Sequence, residues 1–198
     1  MTTSKIALII GHPYPESYCN SLAQAYARGA AGNGAEVRVL DLGRIGFDPN
    51  LKYGYHKRTD LEPDLISAQE TIRWADHLVF VYPNWWGTMP ALLKGFIDRV
   101  FLPGFAFQSR PDSLLVKKLL KGKTARLIVT MDSPPWYYRL VLRRSGHHVM
   151  RRGVLQFCGI TPVKITEIGT VKTKSAESRT KWLRKIESLG FKEGTPTK

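Results

Sequence analysis

Three short segments of the sequence combine aromatic, hydroxyl and glycine residues in patterns that suit ligand binding. The first is GHPYPES, at 11–17. His12, Ser17 and the following Tyr18 carry ring N–H and hydroxyl donors that could bind a phosphate. Such a group is favoured where free backbone N–H groups mark the start of a helix. The alternative is a proline-stiffened turn in which Ser17 is only the cap of that helix.

The second segment, YPNWWGTMP at 82–90, places two tryptophans beside a glycine. Trp85 and Trp86 could form the walls of a site for a flat ring system, and Gly87 permits close approach of the backbone. In the alternative interpretation, both tryptophans pack beneath a helix or at a subunit contact. We favour ligand binding because the segment comes directly after a predicted buried strand.

The third segment, MDSPPWYY at 131–138, also follows a predicted strand. Trp136, Tyr137 and Tyr138 add flat surface and two phenolic hydroxyls, and the paired prolines fix the direction in which the chain enters. A stiff turn that leads into a helix with its aromatic residues in the core is an equally good interpretation.

Other chemistries are poorly supported. His147 and His148 are adjacent, whereas metal ligands on a helix lie three or four residues apart, so no metal site is predicted. The segments GNG at 32–34 and GKT at 122–124 lack the glycine spacing and the strand and helix context of nucleotide-binding loops. No Gly-x-Ser-x-Gly segment is present. Cys19 lies near the start of a predicted helix, a position that would lower the pKa of its thiol. We nevertheless favour a buried, inert cysteine.

Short apolar runs alternate with helical patterns along the whole chain. Strands are predicted at 6–10, 37–40, 77–82, 125–130 and 163–168. Helices are predicted at 17–31, 62–75, from Thr88 and Pro90 to Val100, at 112–121, over most of 138–158, and from 175 to 189, where Gly190 ends the last one. This alternation predicts an open, mostly parallel sheet with helices on both faces. Ligands bind to such sheets beyond the carboxyl ends of the strands, where the three segments lie.

The length and composition of the chain predict a single domain over residues 1–198. The chain has 198 residues, of which 43% are hydrophobic, and these suffice for a sizeable core. Its two cysteines, the lack of a leader pattern and the lack of a long apolar run predict a cytoplasmic protein that does not insert into membranes.

The net charge of +14 is unevenly distributed. Residues 1–116 carry eleven basic and eleven acidic side chains, and residues 117–198 carry nineteen basic and five acidic ones. We interpret most of the basic side chains of residues 117–198 as part of a solvent-exposed surface. No nucleic-acid-binding module is recognised, so nucleic acid is not an expected partner.

The chain resembles the NAD(P)H:quinone oxidoreductase family of flavodoxin-like flavoproteins over about 4–170. The resemblance is carried by GHPYPES, by the long block EPDLISAQETIRWADHLVFVYPNWWGTMPALLKGFIDRVFLPGFAF, and by QFCGITPV. It implies a three-layer sandwich with a five-stranded parallel sheet in the order 2-1-3-4-5. It also implies a homodimer with the active site at the interface, and a flavin at the strand ends, FAD being favoured over FMN. The implied reaction is ping-pong hydride transfer from NAD(P)H to a quinone or similar acceptor.

The resemblance assigns site residues position by position. The residues that fall where the family binds its flavin are His12, Ser17, Tyr18, Cys19, Pro83, Asn84, Trp85, Trp86, Gly87, Met131 and Asp132. Many relatives have Asn in place of Cys19, and the 131–138 segment departs from the Thr-Thr-Gly-Gly-like run of better-known members. Tyr137 or Tyr138 is the candidate for the catalytic tyrosine. Phe107 falls where an aromatic residue of the partner subunit often covers the substrate. Trp136, from the flat surface of the 131–138 segment, is a further substrate-binding candidate.

Basic residues at 139–152 have helical spacing. Arg139, Arg143, His147 and Arg151 are four apart, and Arg144, His148 and Arg152 follow one step on. A continuous helix would make them a cationic stripe, which Gly146 could interrupt. We predict that part of the stripe, Arg143 and Arg144 in particular, attracts the phosphates of NAD(P)H. An electron-carrier flavoprotein and an ancillary subunit of a potassium-efflux transporter are the alternative functions.

Overall fold

Five parallel strands form the central sheet of the computed structural model, which describes residues 3–54, 56–57, 59–110 and 113–195. The strands of the protein are β1 (Lys5–Ile10), β2 (Glu36–Asp41), β3 (His77–Pro83), β4 (Phe107–Arg110), β5 (Ser113–Lys118), β6 (Thr124–Thr130) and β7 (Val163–Ile168). The sheet has the order β2-β1-β3-β6-β7, with every pairing parallel. The predicted order 2-1-3-4-5 of the five sheet strands is confirmed.

The sheet lies between two hydrophobic cores. Along β1, Ala7 and Ile9 face one core, while Ile6, Leu8 and Ile10 face the other, and all five are buried. Side chains of a strand point alternately to opposite faces, so a strand covered on both faces must be apolar throughout. This is why continuous apolar runs in the sequence predict the inner strands β1, β3 and β6 correctly.

Helices cover both faces of the sheet. They are α1 (Tyr18–Gly32), α2 (Pro63–Trp74), α3 (Ala91–Val100), α4 (Pro135–Leu140), α5 (Ser145–His148) and α6 (Ala176–Glu193), with a π-helical segment at Val149–Gln156 and a 3₁₀ turn at Val171–Thr173. Helices α1 and α6 contribute to one core, and α2, α3 and the π-helical segment contribute to the other. Within the described residues, the helices are too short or too polar to span a lipid bilayer.

The helix predicted at 112–121 is wrong. Position 112 lies outside the described residues, and Ser113–Lys118 forms β5, which pairs antiparallel with β4. Hydrogen bonds to the neighbouring strand β4 override the weak local helical pattern of this segment. The hairpin is separate from the central sheet.

The helix predicted over most of 138–158 is interrupted. Helix α4 ends at Leu140, and Arg143 and Arg144 adopt left-handed backbone angles, with φ of 47° and 54°. Left-handed residues cannot continue a right-handed helix. The break therefore precedes Gly146, which lies inside α5.

The end predicted for the last helix is also wrong. Helix α6 continues through Gly190 to Glu193. A Cβ atom at Gly190 would collide with the backbone carbonyl oxygen of Tyr26 in α1. This glycine therefore serves the close packing of α6 on α1, and its presence in the sequence does not mark a helix end.

Candidate functional site

A cleft of about 170 Å³ opens at the carboxyl ends of β1, β3 and β6. Each of these strands continues into one of the three segments that the sequence singles out, because neighbouring parallel strands end at the same edge of the sheet. The residues that line the cleft are His12, Tyr18, Cys19, Pro83, Asn84, Trp85, Thr130, Met131, Asp132 and Val171. Eight of these ten are among the predicted cofactor-binding residues. The other two, Thr130 and Val171, carry no motif that would have identified them.

Three predicted cofactor-binding residues, Ser17, Trp86 and Gly87, do not line the cleft. Ser17 is the cap of α1, where its hydroxyl oxygen accepts a hydrogen bond from the Asn20 N–H at 3.2 Å. Capping was the alternative interpretation of this residue. Tyr18 and Cys19 of the first turn line the cleft, and their backbone N–H groups have no acceptor within the helix.

His12 is held in one tautomer. Its Nδ1 atom accepts a hydrogen bond from the Tyr14 N–H at 3.0 Å, so the neutral ring carries its proton on Nε2. Burial lowers the pKa of His12, which keeps the ring neutral near pH 7. The ring meets Trp85 edge to face at a centroid distance of 5.4 Å. His12 can therefore supply one N–H donor beside an aromatic wall.

Tyr18 and Cys19 contribute surface to the cleft, and their polar hydrogens are directed elsewhere. The Tyr18 hydroxyl donates to the Arg179 carbonyl oxygen at 3.0 Å, so the predicted hydroxyl donor is already engaged. The Cys19 sulfur lies 3.2 Å from Thr130 Oγ1. Burial raises the pKa of Cys19 to about 12, which outweighs its position at a helix start. The favoured interpretation of an inert thiol agrees with this environment.

The tryptophan segment forms a tight turn. Trp85 and Thr88 exchange two backbone hydrogen bonds, of 2.9 and 3.0 Å, and the two residues between them have positive φ, 52° at Trp86 and 81° at Gly87. Positive φ is unfavourable for a bulky residue such as tryptophan, so the turn is strained. The ring of Trp86 is fully exposed, whereas Trp85 turns toward the cleft.

The carbonyl oxygen of Gly87 holds this strained turn in place. It accepts hydrogen bonds from the Gly146 N–H at 3.0 Å and from the Ser145 hydroxyl at 3.1 Å, and the Tyr138 hydroxyl lies 3.4 Å away. A Cβ atom at Gly146 would lie 2.6 Å from the same oxygen. Only glycine therefore allows α5 to approach the tryptophan turn so closely.

Tyr138 connects the turn to a second polar group. It is fully buried, and its hydroxyl lies 3.4 Å from the Nδ1 atom of His147. The Nε2 atom of His147 lies 3.3 Å from the Glu167 carboxylate. Burial lowers the pKa of His147, partly opposed by Glu167, and burial raises the pKa of Tyr138. Because the Tyr138 hydroxyl faces Gly87 and His147, it does not reach the cleft, and we regard Tyr138 as a positioning residue.

The predicted cationic stripe does not form as a continuous helix face. Arg139 and Arg144 both turn to the carboxylate of Glu167, at 2.6 and 3.5 Å. They line a pocket of about 290 Å³ with His147, His148 and Arg151. Arg143 lies in the left-handed turn and lines neither this pocket nor the cleft. No sequence motif indicates that His147 and Glu167 form a pair. Their contact joins segments that are distant in the sequence, and only the structure reveals it.

The remaining candidates lie outside the cleft. Trp136 and Tyr137 are exposed on α4 and meet edge to face. Phe107 is on the β4–β5 hairpin and packs against Phe157 at a centroid distance of 5.1 Å. A role for these residues in substrate binding stays a prediction, and for Phe107 it concerns the partner subunit.

The topology, the strand-end cleft and the aromatic walls agree with a known family. A family profile described as a flavodoxin-like fold matches residues 4–189. The chain belongs to this family. The solved structure of Smu.1420 from Streptococcus mutans UA159 superposes with a TM-score of 0.80 at 33% identity, covering 94% of this chain and 98% of the other.

Named relatives share the family. The ribosyldihydronicotinamide dehydrogenase [quinone] of Rattus norvegicus is 27% identical over 98% of this chain and 95% of its own length. A protein of Haemophilus influenzae named as an uncharacterized NAD(P)H oxidoreductase is 28% identical over 83% of each chain. The predicted family is confirmed, and these relatives carry names of the enzyme class that the sequence predicts.

Proposed function

We propose that the protein is a flavin-dependent NAD(P)H oxidoreductase that reduces a quinone or a similar acceptor. The observation that carries this proposal is the cleft, where three strand ends bring together an N–H donor, free helix N–H groups and an aromatic wall. The names of the relatives support the choice of NAD(P)H and quinone as reactants.

The lining of the cleft fits a flavin. The free N–H groups of Tyr18 and Cys19 and the Nε2–H of His12 suit a phosphate, because anions bind well at helix starts. The Trp85 ring offers an apolar face for a flat ring system, and Asn84 and Asp132 offer polar groups beside it. The backbone N–H and carbonyl of Met131 already pair with Ile168 and Val171, so Met131 contributes surface only. A bound flavin supplies two-electron chemistry, which lets NAD(P)H and the acceptor react one after the other at one site.

The polypeptide contributes orientation and electrostatics. The hydrogen bonds to the Gly87 carbonyl fix the tryptophan turn, and Tyr138 and His147 support it from the interior. Arg151 is the arginine of the cationic pocket that makes no ion pair within the described residues, so we assign to it the attraction of NAD(P)H phosphates. Arg151→Glu is expected to raise the KM for NAD(P)H, more strongly at low salt.

The cleft of one chain is small for a flavin together with a substrate, since ligand sites usually measure about 300–1,000 Å³. We propose that a second copy of the chain completes it. Phe107 of one chain would then cover the acceptor bound at the cleft of the other, which agrees with its absence from the cleft of its own chain.

The decisive experiment is to purify the protein, record its absorbance spectrum and measure the mass of the released flavin. We expect FAD, and we expect NADH or NADPH oxidation that depends on added quinone and gives parallel lines in double-reciprocal plots. Trp85→Ala should lower flavin affinity at least tenfold, whereas the matched variant Trp182→Ala, on α6, should not. A flavin-loaded protein that oxidises neither NADH nor NADPH with any quinone would refute the proposal.

A further inference from the structure

A single carboxylate gathers two arginines and a histidine at the edge of the sheet. Glu167 lies on β7, and its side chain is only 8% exposed. One carboxylate oxygen accepts a hydrogen bond from Arg139 Nε at 2.7 Å, and Arg139 Nη2 lies 2.6 Å from the same oxygen. The other oxygen lies 3.5 Å from Arg144 Nε and 3.3 Å from His147 Nε2. Charge-assisted contacts to both oxygens hold the carboxylate in one orientation.

The partners of Glu167 lie on both sides of the break between α4 and α5. Arg139 belongs to α4, Arg144 is the second of the two left-handed residues, and His147 belongs to α5. Left-handed backbone angles are strained in residues other than glycine, and such strain persists only where surrounding contacts compensate for it. Glu167 therefore joins the two helices across the strained break.

Helix α5 connects this carboxylate to the cleft. Its first two residues, Ser145 and Gly146, donate hydrogen bonds to the Gly87 carbonyl oxygen in the tryptophan turn, and the next residue, His147, faces Glu167. Because the two sets of contacts are made by consecutive residues, a movement of α5 away from β7 also disturbs the turn. That turn carries the aromatic wall of the cleft.

The negative charge of Glu167 is what its surroundings lack. Among the described residues that line the pocket between α4, α5 and β7, Glu167 is the only acidic one, and Arg139, Arg144 and Arg151 line the same pocket. Two of these arginines lie within 3.5 Å of the carboxylate. Without its charge they would repel each other, because like charges held close together are unfavourable. Loss of the charge is therefore expected to loosen the break.

We propose that Glu167 is a positioning residue for the flavin cleft, whose charge holds α4 and α5 together at the break and, through α5, fixes the tryptophan turn beside the flavin. The inference rests on the proposed function, because it assigns the residue to flavin binding. Glu167 does not line the cleft, so it acts through α5 and not by contact with the flavin. A role in stability alone would leave the flavin affinity of the folded protein unchanged.

The test compares Glu167→Gln with Glu193→Gln in flavin-free protein. Both substitutions neutralise a largely buried carboxylate that an arginine contacts at 2.6 Å, but Glu193 lies at the amino ends of the strands, away from the cleft. Titration with FAD, and with FMN in parallel, should give a Kd about tenfold above that of the wild type for Glu167→Gln. Glu193→Gln should stay within about twofold under conditions in which both variants are folded, and Glu167→Asp, which keeps the charge, should recover most of the affinity.

Hydrogen exchange of the flavin-free protein measures the restraint on the break itself. The Arg144 N–H donates to the Tyr138 carbonyl, and the Gly146 N–H donates to the Gly87 carbonyl, both at 3.0 Å. Both amides should exchange about tenfold faster in Glu167→Gln, and less than about twofold faster in Glu193→Gln, because local opening sets their exchange. Arg139→Gln alters a half-exposed side chain and is the milder second variant, with an expected change of about threefold in both measurements.

The positioning role is overturned if Glu167→Gln binds flavin as tightly as the wild type, if Glu193→Gln weakens flavin binding equally, or if the Arg144 and Gly146 amides of Glu167→Gln exchange at wild-type rates. A wild-type protein that binds neither FAD nor FMN refutes the proposed function itself. Flavin binding that is unaffected by Glu167→Gln refutes only the positioning role, so the two failures are distinguishable.

Discussion

Tyr138 shows how a residue can matter to a site without facing it. Its hydroxyl bridges the tryptophan turn and His147 from the protein interior. Tyr138→Phe keeps the ring and removes the bridge. We expect the kcat for quinone reduction to fall about tenfold. The free energy of unfolding should fall by about 1–3 kcal/mol, because three long hydrogen bonds of 3.3–3.4 Å to Gly87 and His147 are lost.

The measurement is steady-state kinetics together with the absorbance spectrum of bound flavin, which should shift if the turn moves. Tyr137→Phe is the matched control, since Tyr137 is exposed and should retain the wild-type spectrum. Equal effects of the two variants would contradict a positioning role for Tyr138.

Glu193 is the centre of a buried polar cluster at the amino ends of the strands. Its carboxylate accepts hydrogen bonds from Arg126 at 2.6 and 2.7 Å and from the Tyr26 hydroxyl at 2.9 Å, and His77 lies 3.5 Å away. Although burial opposes the charge, the hydrogen bonds from His77 and Arg126 hold the pKa of Glu193 well below its usual range. The carboxylate therefore stabilises the fold above the pKa of an unfolded glutamate, about 4.3.

Glu193→Gln leaves Arg126 buried without its counter-charge. We expect the free energy of unfolding at pH 7 to fall by about 3 kcal/mol, measured by urea denaturation. The difference from the wild type should shrink as pH falls from about 4 toward the lowered native pKa, because the unfolded carboxyl takes up a proton in this range while the folded one stays charged. Glu187→Gln removes an exposed ion pair with Arg28 and should cost less than about 1 kcal/mol.

At the scale of elements, the contact between α1 and α6 depends on small residues. Gly190→Ala would place a methyl group against the Tyr26 carbonyl, and neither backbone can move away without disturbing its helix. We expect a loss of about 1–3 kcal/mol of unfolding free energy. Gly153→Ala, in the π-helical segment, meets no atom within 4 Å and should change stability by less than about 0.5 kcal/mol. Thermal or urea unfolding of the two variants measures the contrast.

The elements also show what a sequence reveals and what it conceals. The inner strands β1, β3 and β6 are predictable because burial on both faces demands an apolar run, whereas the edge strands β2 and β7 are only partly buried and show shorter apolar patterns. The cleft follows from the strand ends. The β5 strand and the break at Arg143 and Arg144 are not predictable. Strand β5 forms only because a partner strand pairs with it. The break is strained, and the hydrogen bonds of Ser145 and Gly146 compensate for that strain. No local sequence pattern encodes either feature. Thr130 and Val171 reach the cleft only through the register of β6 and the 3₁₀ turn that follows β7.

At the scale of the whole molecule, the proposed dimer makes a kinetic prediction. If Phe107 of one chain completes the cleft of its partner, specific activity should fall on dilution below the dissociation constant of the dimer, while flavin stays bound. Phe107→Ala should raise the KM for the quinone severalfold without lowering flavin affinity. Activity that is proportional to concentration over the range in which size-exclusion chromatography shows monomers would contradict this arrangement.

The sheet order has a consequence for the distribution of charge. Strands β2, β1 and β3 come from the neutral first part of the chain, and β6 and β7 come from the basic second part, so the two parts lie side by side across the sheet. The molecule is therefore a permanent electric dipole directed across its strands. A charged body at a distance exerts a torque on it, so that the β7 side is turned toward a negative surface before any contact is made.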